Sequence, residues 1–499
     1  MPRRRPPFSA AVLPALLAVG LAACGADAPA PSATAPAADD AAAVAADQRF
    51  NDIAKRWLDG WLALQPVAAT QVGRHDFDDR IDDLGPAGRQ AALDFNRKTL
   101  AELDTLQVAG LSRENQIDAA ILRNQVRYDL WQLETLQSWA WDPQVYSQLA
   151  GSAIYNLMAR EFAPMPQRLR SATARMEKLP ALLAQMRENL DPARVPKIHA
   201  ETVARQNAGL LQLVDGLVVP NAKALGGADR QRLDRAIAGL RTAVAEHQAW
   251  LDDTLVPNAN GNFRIGQQLY DEKLAFALNS PMTRADIRTR AEAAIKATRA
   301  EMYEISRKLL TGRAQAAGVE PPKDMPPQPG DAQQQKAIEA ALELAYAERP
   351  ARDKVVEYAT QTTKDATAFV RAKDLVTVPD DPVKIILMPE FQRGVAVAYC
   401  DSPGPLDKGL DTYYAISPIP DEWSTEQVDS FLREYNNRML HLLSIHEAMP
   451  GHYLEGVHSA DHPSTLRAVL RSGPFAEGWA VYTEDTLADA GYLDNDPLF

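Results

Sequence analysis

The feature that most limits what this chain can fold into is a helical periodicity of apolar side chains sustained over residues 50–310. Leu233, Ile237, Leu240, Val244 and Leu251 recur at helical spacing, which lines them along one face and leaves the charged residues between them on the other. Thr283 with Asp286 forms a capping-box signature ahead of Ile287, Ala291, Ile295, Met302 and Ile305, which are expected to form a second core stripe. A strand turns alternate residues to opposite faces and cannot bury either pattern. The apolar residues are mostly Ala and Leu, and aromatics make up only 7% of the chain, which favours packed helices over sandwiches or barrels. The expected class is therefore mainly α. With 499 residues the chain can bury a substantial core, as one body or as two lobes around a cleft.

The helical pattern breaks at residues 320–330, where five prolines and a glycine cannot continue a helix, and this loop is expected to divide the two halves. Helical spacing resumes over residues 332–373. The period then shortens. Residues 383–388 and 395–399 are short β-branched and apolar runs, and with residues 413–417 they are expected to form a small sheet beside the next helix.

At the N-terminus, Arg3, Arg4 and Arg5 precede an apolar stretch that ends in Leu21-Ala22-Ala23-Cys24. About 16 apolar residues are too few for a ~30 Å hydrocarbon core, so residues 1–23 are expected to be a secretory signal peptide rather than a span. The tetrad resembles a bacterial lipobox, which implies cleavage before Cys24 and its acylation; the alternative is an ordinary signal peptide with a coincidental cysteine. Residues 24–48 are rich in Ala, Pro, Ser and Asp and are expected to be a flexible tether, with residues 49–499 as the helical body. Gly25 stands where an aspartate is associated with inner-membrane retention, which favours the outer membrane. The only other cysteine is Cys400, so a lipidated Cys24 leaves no intramolecular disulfide. A formal charge of −13 argues against nucleic acid as a partner and leaves membrane attachment to the lipid.

Five of the eight histidines fall between positions 441 and 462. Ser424 and Gln427 form a capping box, and Val428, Phe431, Leu432, Tyr435, Met439, Leu442 and Leu443 continue one expected helix into His446-Glu447-Ala448-Met449-Pro450-Gly451-His452. Two histidines four apart share a helix face and bind zinc, with an intervening Glu as general base. Here the second histidine arrives two residues late, and on a regular helix it would sit about 120° from the first. Pro450 and Gly451 offer a remedy: a bulge with glycine at positive φ would bring His452 back to the face of His446.

A third ligand must come from elsewhere, leaving one position open for water. Glu477 and Glu484 lie seven apart, roughly 20° from alignment on a helix, and form one acidic stripe. Glu477 is assigned to the metal and Glu484 to a hydrogen bond that fixes a ligand histidine, with the reverse assignment open. His441, Glu455, His458, His462 and Asp485 compete for these roles but are treated as neighbours or surface residues. His75, His199 and His247 lack companions in sequence and are treated as structural or surface residues.

The runs His446-Glu447-Ala448-Met449-Pro450-Gly451-His452 and Glu477-Gly478-Trp479-Ala480-Val481-Tyr482-Thr483-Glu484 resemble the signature of the bacterial domain-of-unknown-function family 885. The resemblance extends to Gly73-Arg74-His75, Gly266-Gln267-Gln268-Leu269-Tyr270 and Thr412-Tyr413-Tyr414. It implies a zincin-like helical fold and metallopeptidase activity. Glu455 departs from the glutamine expected there, and family members are expected to continue with further helices beyond Phe499.

The expected chemistry is peptide hydrolysis, with Zn²⁺ on His446, His452 and Glu477 activating water and Glu447 as general base. Tyr399, Tyr413 and Tyr414 are substrate candidates: the strand of Tyr399 would pair with an extended peptide, and Tyr413 or Tyr414 would face the oxyanion. The alternatives are an ordinary buried strand for residues 395–399 and aromatic core packing for at least one of Tyr413 and Tyr414. Two rival functions stay open, a metal-dependent hydrolase of non-peptide amides or esters and a non-catalytic periplasmic binding lipoprotein. The Glu directly after His446 speaks against simple metal storage, which has no use for a base.

Overall fold

In the computed structural model, residues 37–315, 317–380, 383–388 and 396–499 are described, residues 37–42 by backbone alone. The signal peptide, Cys24, the first part of the tether and residues 389–395 lie outside them. The tether is shorter than expected, because the helix Ala37–Leu64 already includes residues 37–48. Its alanine-rich start has high helix propensity, and the helix gains its packing further on, where Phe50, Ile53, Trp57 and Leu62 are buried.

Helices dominate, as the periodicity requires. Gln144–Met158, Met165–Met176, Leu179–Asn189 and Gly227–Trp250 pack around Tyr146, Ile154, Leu157, Leu169, Met186 and Leu240. Leu233, Leu240, Val244 and Leu251 are all buried there. Arg175 is also fully buried in this half, held by the carbonyls of Arg80, Ala153 and Pro66 and by the Thr70 hydroxyl. Each of the three guanidinium nitrogens donates at least once, as burying this group requires.

The expected core stripe after Thr283 is a correction. The capping box forms, but on the helix Arg284–Arg313 Ile295 is 59% exposed and Met302 is exposed too. Spacing identifies which face is apolar but not what covers it. The proline-rich stretch is a second correction: it connects Arg284–Arg313 to Asp331–Tyr346, which pack on each other through Tyr303, Leu310, Ala337 and Ala341. The Tyr303 hydroxyl donates to the Pro326 carbonyl, so the loop is the turn of a helix pair rather than a boundary between halves.

The small sheet has three strands, β1 (Lys384–Leu387), β2 (Ala398–Asp401) and β3 (Tyr413–Ile416), in the order β1-β3-β2. β1 runs parallel to β3, and β2 runs antiparallel to it with Tyr399 opposite Ala415 and Cys400 opposite Tyr414. β2 lies against the helix Asn437–Glu447, as expected of a sheet beside the site. That helix is not continuous with Thr425–Glu434: Tyr435 leaves the helical region and Asn436 caps the new start, accepting from the amides of Arg438 and Met439. Beneath it the helix Val355–Lys373 contributes Ala359, Ala366 and Val370 to a second core, and Thr362 hydrogen-bonds Ser444 at 2.7 Å. Among the described residues no helix is long and apolar enough to cross a membrane.

Candidate metal centre

The helix Asn437–Glu447 ends at Ala448, and a new helix begins at His452 and runs to Ala460. The expected bulge is thus a break between two helices. Gly451 has φ −77°, not a positive value, and the reason for glycine is contact: a Cβ there would lie 1.9 Å from the His446 carbonyl oxygen and 2.4 Å from that of Ile445. The Gly451 amide donates to the Ile445 carbonyl at 2.9 Å, closing the chain tightly over the end of the first helix. This fold-back is what the six-residue separation needs. The His446 and His452 rings meet at 88° with centroids 4.7 Å apart.

The third helix of the site, Gly473–Asp489, is capped by Ser472 and carries both glutamates of the acidic stripe on one side. Glu477 Oε2 lies 3.6 Å from His446 Nε2 and 3.8 Å from His452 Nε2, and one ligand atom from each of the three residues falls within 4.8 Å of the others. Glu484 accepts or shares a hydrogen bond with His446 Nδ1 at 2.7 Å. The geometry therefore separates the two glutamates: Glu477 faces the free ring nitrogens and Glu484 holds the back of one ring. Trp479, between them, donates from Nε1 to the Pro450 carbonyl at 2.8 Å and pins this helix to the break. The Glu477 side chain is 69% exposed, so the cluster opens outward on that side.

Glu447 is buried beside the cluster, close enough to feel the charges of His446 and Glu477. Burial raises its carboxyl to about 7, against the lowering effects of His446 and of the Cys400 amide, which donates to it. The sheet register explains that donor. The Ser417 amide bonds to the Val397 carbonyl, so residues 397, 399 and 401 face β3 and the Cys400 N–H points outward, away from the sheet. Asp401 is anchored in turn: it accepts from the Tyr155 hydroxyl at 2.8 Å and pairs with Arg160 at 2.8 Å, and Arg160 also donates to its carbonyl. Sequence reasoning missed Tyr155, Arg160 and Asp401, since nothing local links positions about 240 residues apart.

Hydrogen bonding to Glu484 raises the His446 pKa despite burial, whereas burial and the neighbouring His446 lower that of His452. The competing residues are engaged elsewhere. His441 is buried with Nδ1 2.9 Å from the Tyr492 hydroxyl, Glu455 is paired with Arg471 and accepts from Ser459, His458 contacts the Thr377 carbonyl, and His462 accepts from the Ser464 amide. Asp485 is exposed. His75, His199 and His247 are structural: His75 bridges Asp78 and Asp407, His199 lies 3.3 Å from Asp142, and His247 is buried beside Arg187.

The three tyrosines separate. Tyr414 is fully buried in the core, and half-buried Tyr413 lies under the Arg160 guanidinium. Tyr399 lines a cavity, hydrogen-bonds Tyr155 and has its hydroxyl pushed up to about 12 by burial and Asp401.

The donor set, two imidazole nitrogens and one carboxylate oxygen with an outer carboxylate orienting one ring, is the set that suits zinc with an open fourth position. Residues 66–499 match a family described as bacterial protein of unknown function (DUF885). A structure described as a candidate lipoprotein of unknown function from Shewanella oneidensis is similar at 30% identity and a TM-score of 0.70, covering 90% of this chain and 79% of its own. A second, described as a candidate lipoprotein from Colwellia psychrerythraea, has a TM-score of 0.63 at 14% identity and covers 91% of this chain and 80% of its own, which shows a shared fold. Among curated proteins none matches.

Proposed function

The chain belongs to the bacterial family of unknown function DUF885, and from that premise we propose that it is a zinc-dependent hydrolase of peptide bonds, held at the cell envelope by lipid on Cys24. The observation that carries the metal and the chemistry is the convergence of His446, His452 and Glu477 within 4.8 Å, with Glu447 adjoining them on the same helix end. Bound Zn²⁺ would polarise the scissile carbonyl and bring the pKa of a water toward neutrality. Glu447 takes the proton of the attacking water and delivers it to the leaving amine. Its carboxylate is held for that task by the Cys400 amide, and Glu484 fixes the tautomer of His446 by engaging Nδ1, leaving Nε2 toward the cluster.

The peptide substrate draws support from β2, which is an edge strand of the described sheet and brings Cys400 to Glu447. An extended chain added along that edge would pass the base. The lipoprotein description of the Shewanella oneidensis structure and the tetrad ending in Cys24 support lipid anchorage at the cell envelope, and Gly25 favours the periplasmic face of the outer membrane. The test is Glu447→Gln, measured for zinc content and for cleavage of a peptide mixture by mass spectrometry. Zinc binding should persist and cleavage should vanish; a folded, zinc-loaded variant with wild-type cleavage would refute the assignment.

A further inference from the structure

A cavity of about 690 Å³ opens between the helix Gln144–Met158, the segment 205–213 and the edge of β2. That volume lies within the usual range for a site that takes a small ligand or a few side chains. Its wall has an unusual charge balance. The chain holds 66 acidic residues in 499, yet among the described residues none lines this cavity, and Arg205 is the only described residue there with a fixed charge. His247 adds none at neutral pH, because burial and the nearby Arg187 lower it to about 4. The remaining polar lining is amide and hydroxyl, including Gln144, Gln148 and Asn207, and Asn207 is itself fixed by the Val244 carbonyl and by Gln248.

Arg205 has no ion pair among the described residues; its hydrogen bond is to the Thr202 hydroxyl at 3.3 Å. Arg232 with Glu177 and Arg284 with Asp271 are matched to carboxylates, whereas Arg205, like the exposed Arg235 and Arg264, has no carboxylate partner among the described residues. A guanidinium unmatched among the described residues, beside a cavity whose described lining has no carboxylate, presents its fork to whatever enters.

The cavity adjoins β2, the strand whose Cys400 amide reaches Glu447. Tyr399 forms part of its wall, and the next residue, Cys400, gives its amide to Glu447. Successive strand residues advance about 3.3 Å, so a chain paired along β2 reaches both places within a few residues.

We propose that this cavity is a substrate subsite that selects a carboxylate, Arg205 being the residue that recognises it. The inference rests on the peptidase reading for the identity of the ligand as a peptide. The carboxylate has two possible sources, a Glu or Asp side chain or the free C-terminus, and the same experiment separates them.

The experiment uses the full chain carrying Glu447→Gln, zinc-loaded, so that bound peptides stay intact. Alanine-rich nonapeptides carry Glu or Gln at each position in turn, and each is made with a free and an amidated C-terminus. Affinity is measured by calorimetry in the Arg205, Arg205→Gln and Arg205→Lys backgrounds, and melting curves check that this exposed site does not affect folding. A carboxylate peptide should bind roughly tenfold to a hundredfold better than its neutral match, the worth of one charge-assisted pair. Arg205→Gln should erase that preference and Arg205→Lys restore part of it. Loss on amidation assigns the C-terminus, and loss on Glu to Gln at one position assigns a side chain.

Equal affinity for charged and neutral peptides, a preference that survives Arg205→Gln, or no binding by any peptide overturns the subsite. The peptidase reading fails separately: Arg205-dependent binding without cleavage by the zinc-loaded wild type would refute it and leave the subsite standing. Cleavage with no carboxylate preference does the reverse.

Discussion

Replacing Gly451 with alanine tests the geometry on which the metal site depends. The added Cβ would start 1.9 Å from the His446 carbonyl oxygen, whereas a comfortable non-bonded contact is about 3.5 Å, so about 1.6 Å must be recovered. No flexible side chain can yield it, because the first obstacle is the backbone of His446 and the second that of Ile445 at 2.4 Å. His446 is one of the three residues whose ligand atoms fall within 4.8 Å, and a zinc site tolerates deviations of only about 0.2 Å in its bond lengths. Relief by moving this turn therefore dismantles the coordination, and relief elsewhere strains the helix junction. The expected cost is about 1–3 kcal/mol in the metal-free protein, as for other overpacked sites, and a loss of zinc affinity exceeding the ~10–100-fold typical of removing an outer partner. Chelator competition measures the affinity and thermal unfolding of the metal-free protein measures the strain. Gly456→Ala is the control, since its Cβ would meet only the Ser402 hydroxyl at 3.3 Å. Wild-type zinc affinity together with an unchanged melting temperature in Gly451→Ala would refute the reasoning.

Glu484→Ala removes the 2.7 Å partner of His446 Nδ1 and should weaken zinc binding by about 10–100-fold while sparing the fold, as chelator competition would show. Asp401→Asn loosens the grip of Tyr155 and Arg160 on β2, and should lower turnover more than it changes zinc content, measured by metal analysis beside peptide cleavage. Asn436→Ala removes the cap of the site helix and should cost about 1 kcal/mol in denaturant unfolding. For His75, burial alone would lower the pKa, but hydrogen bonds and charge from Asp407 and Asp78 raise it to about 9. A raised folded-state pKa stabilises fully below the ordinary value of 6.5 and loses that contribution as pH rises through about 9, so wild type should lose up to roughly 3 kcal/mol between pH 6 and pH 10 that His75→Gln does not. Unfolding titrations of both proteins at the two pH values check it.

The parts of the site legible in the sequence are those whose geometry is local. Glu477 and Glu484 share a helix face because seven residues nearly complete two turns, and the same arithmetic showed that His446 and His452 could not share one without a distortion at Pro450-Gly451. The form of that distortion was not legible, because a bulge and a break satisfy the same spacing; the contact between Gly451 and the His446 carbonyl depends on how two helices pack. The break at Asn436 was hidden for a related reason. The apolar positions on either side keep a helical period, while the capping side chain of Asn436 stops the first helix and starts the second. The stripe at Ile295 and Met302 has the right period and stays exposed, since a pattern says nothing of a partner.

What lies beyond sequence is the dependence of the proposed base, Glu447, on the helical N-terminal half. Glu447 would keep its place on the helix without that half, but the amide that holds its carboxylate belongs to β2, and β2 ends at Asp401. Asp401 is fixed by Tyr155 and Arg160 from the helix Gln144–Met158 and the residues after it. The same junction is tied a second time, where His75 meets Asp407 at 3.1 Å and the Leu406 amide donates to the Val72 carbonyl. Both ties act on the segment from β2 to β3, which supplies the amide at Glu447, while the three metal-facing residues belong to helices of the C-terminal half. Zinc affinity and turnover should consequently respond differently to changes at this junction, turnover falling first. A variant such as Arg160→Gln that lowered both in equal measure would show that the ligands, and not only the base, depend on the clasp.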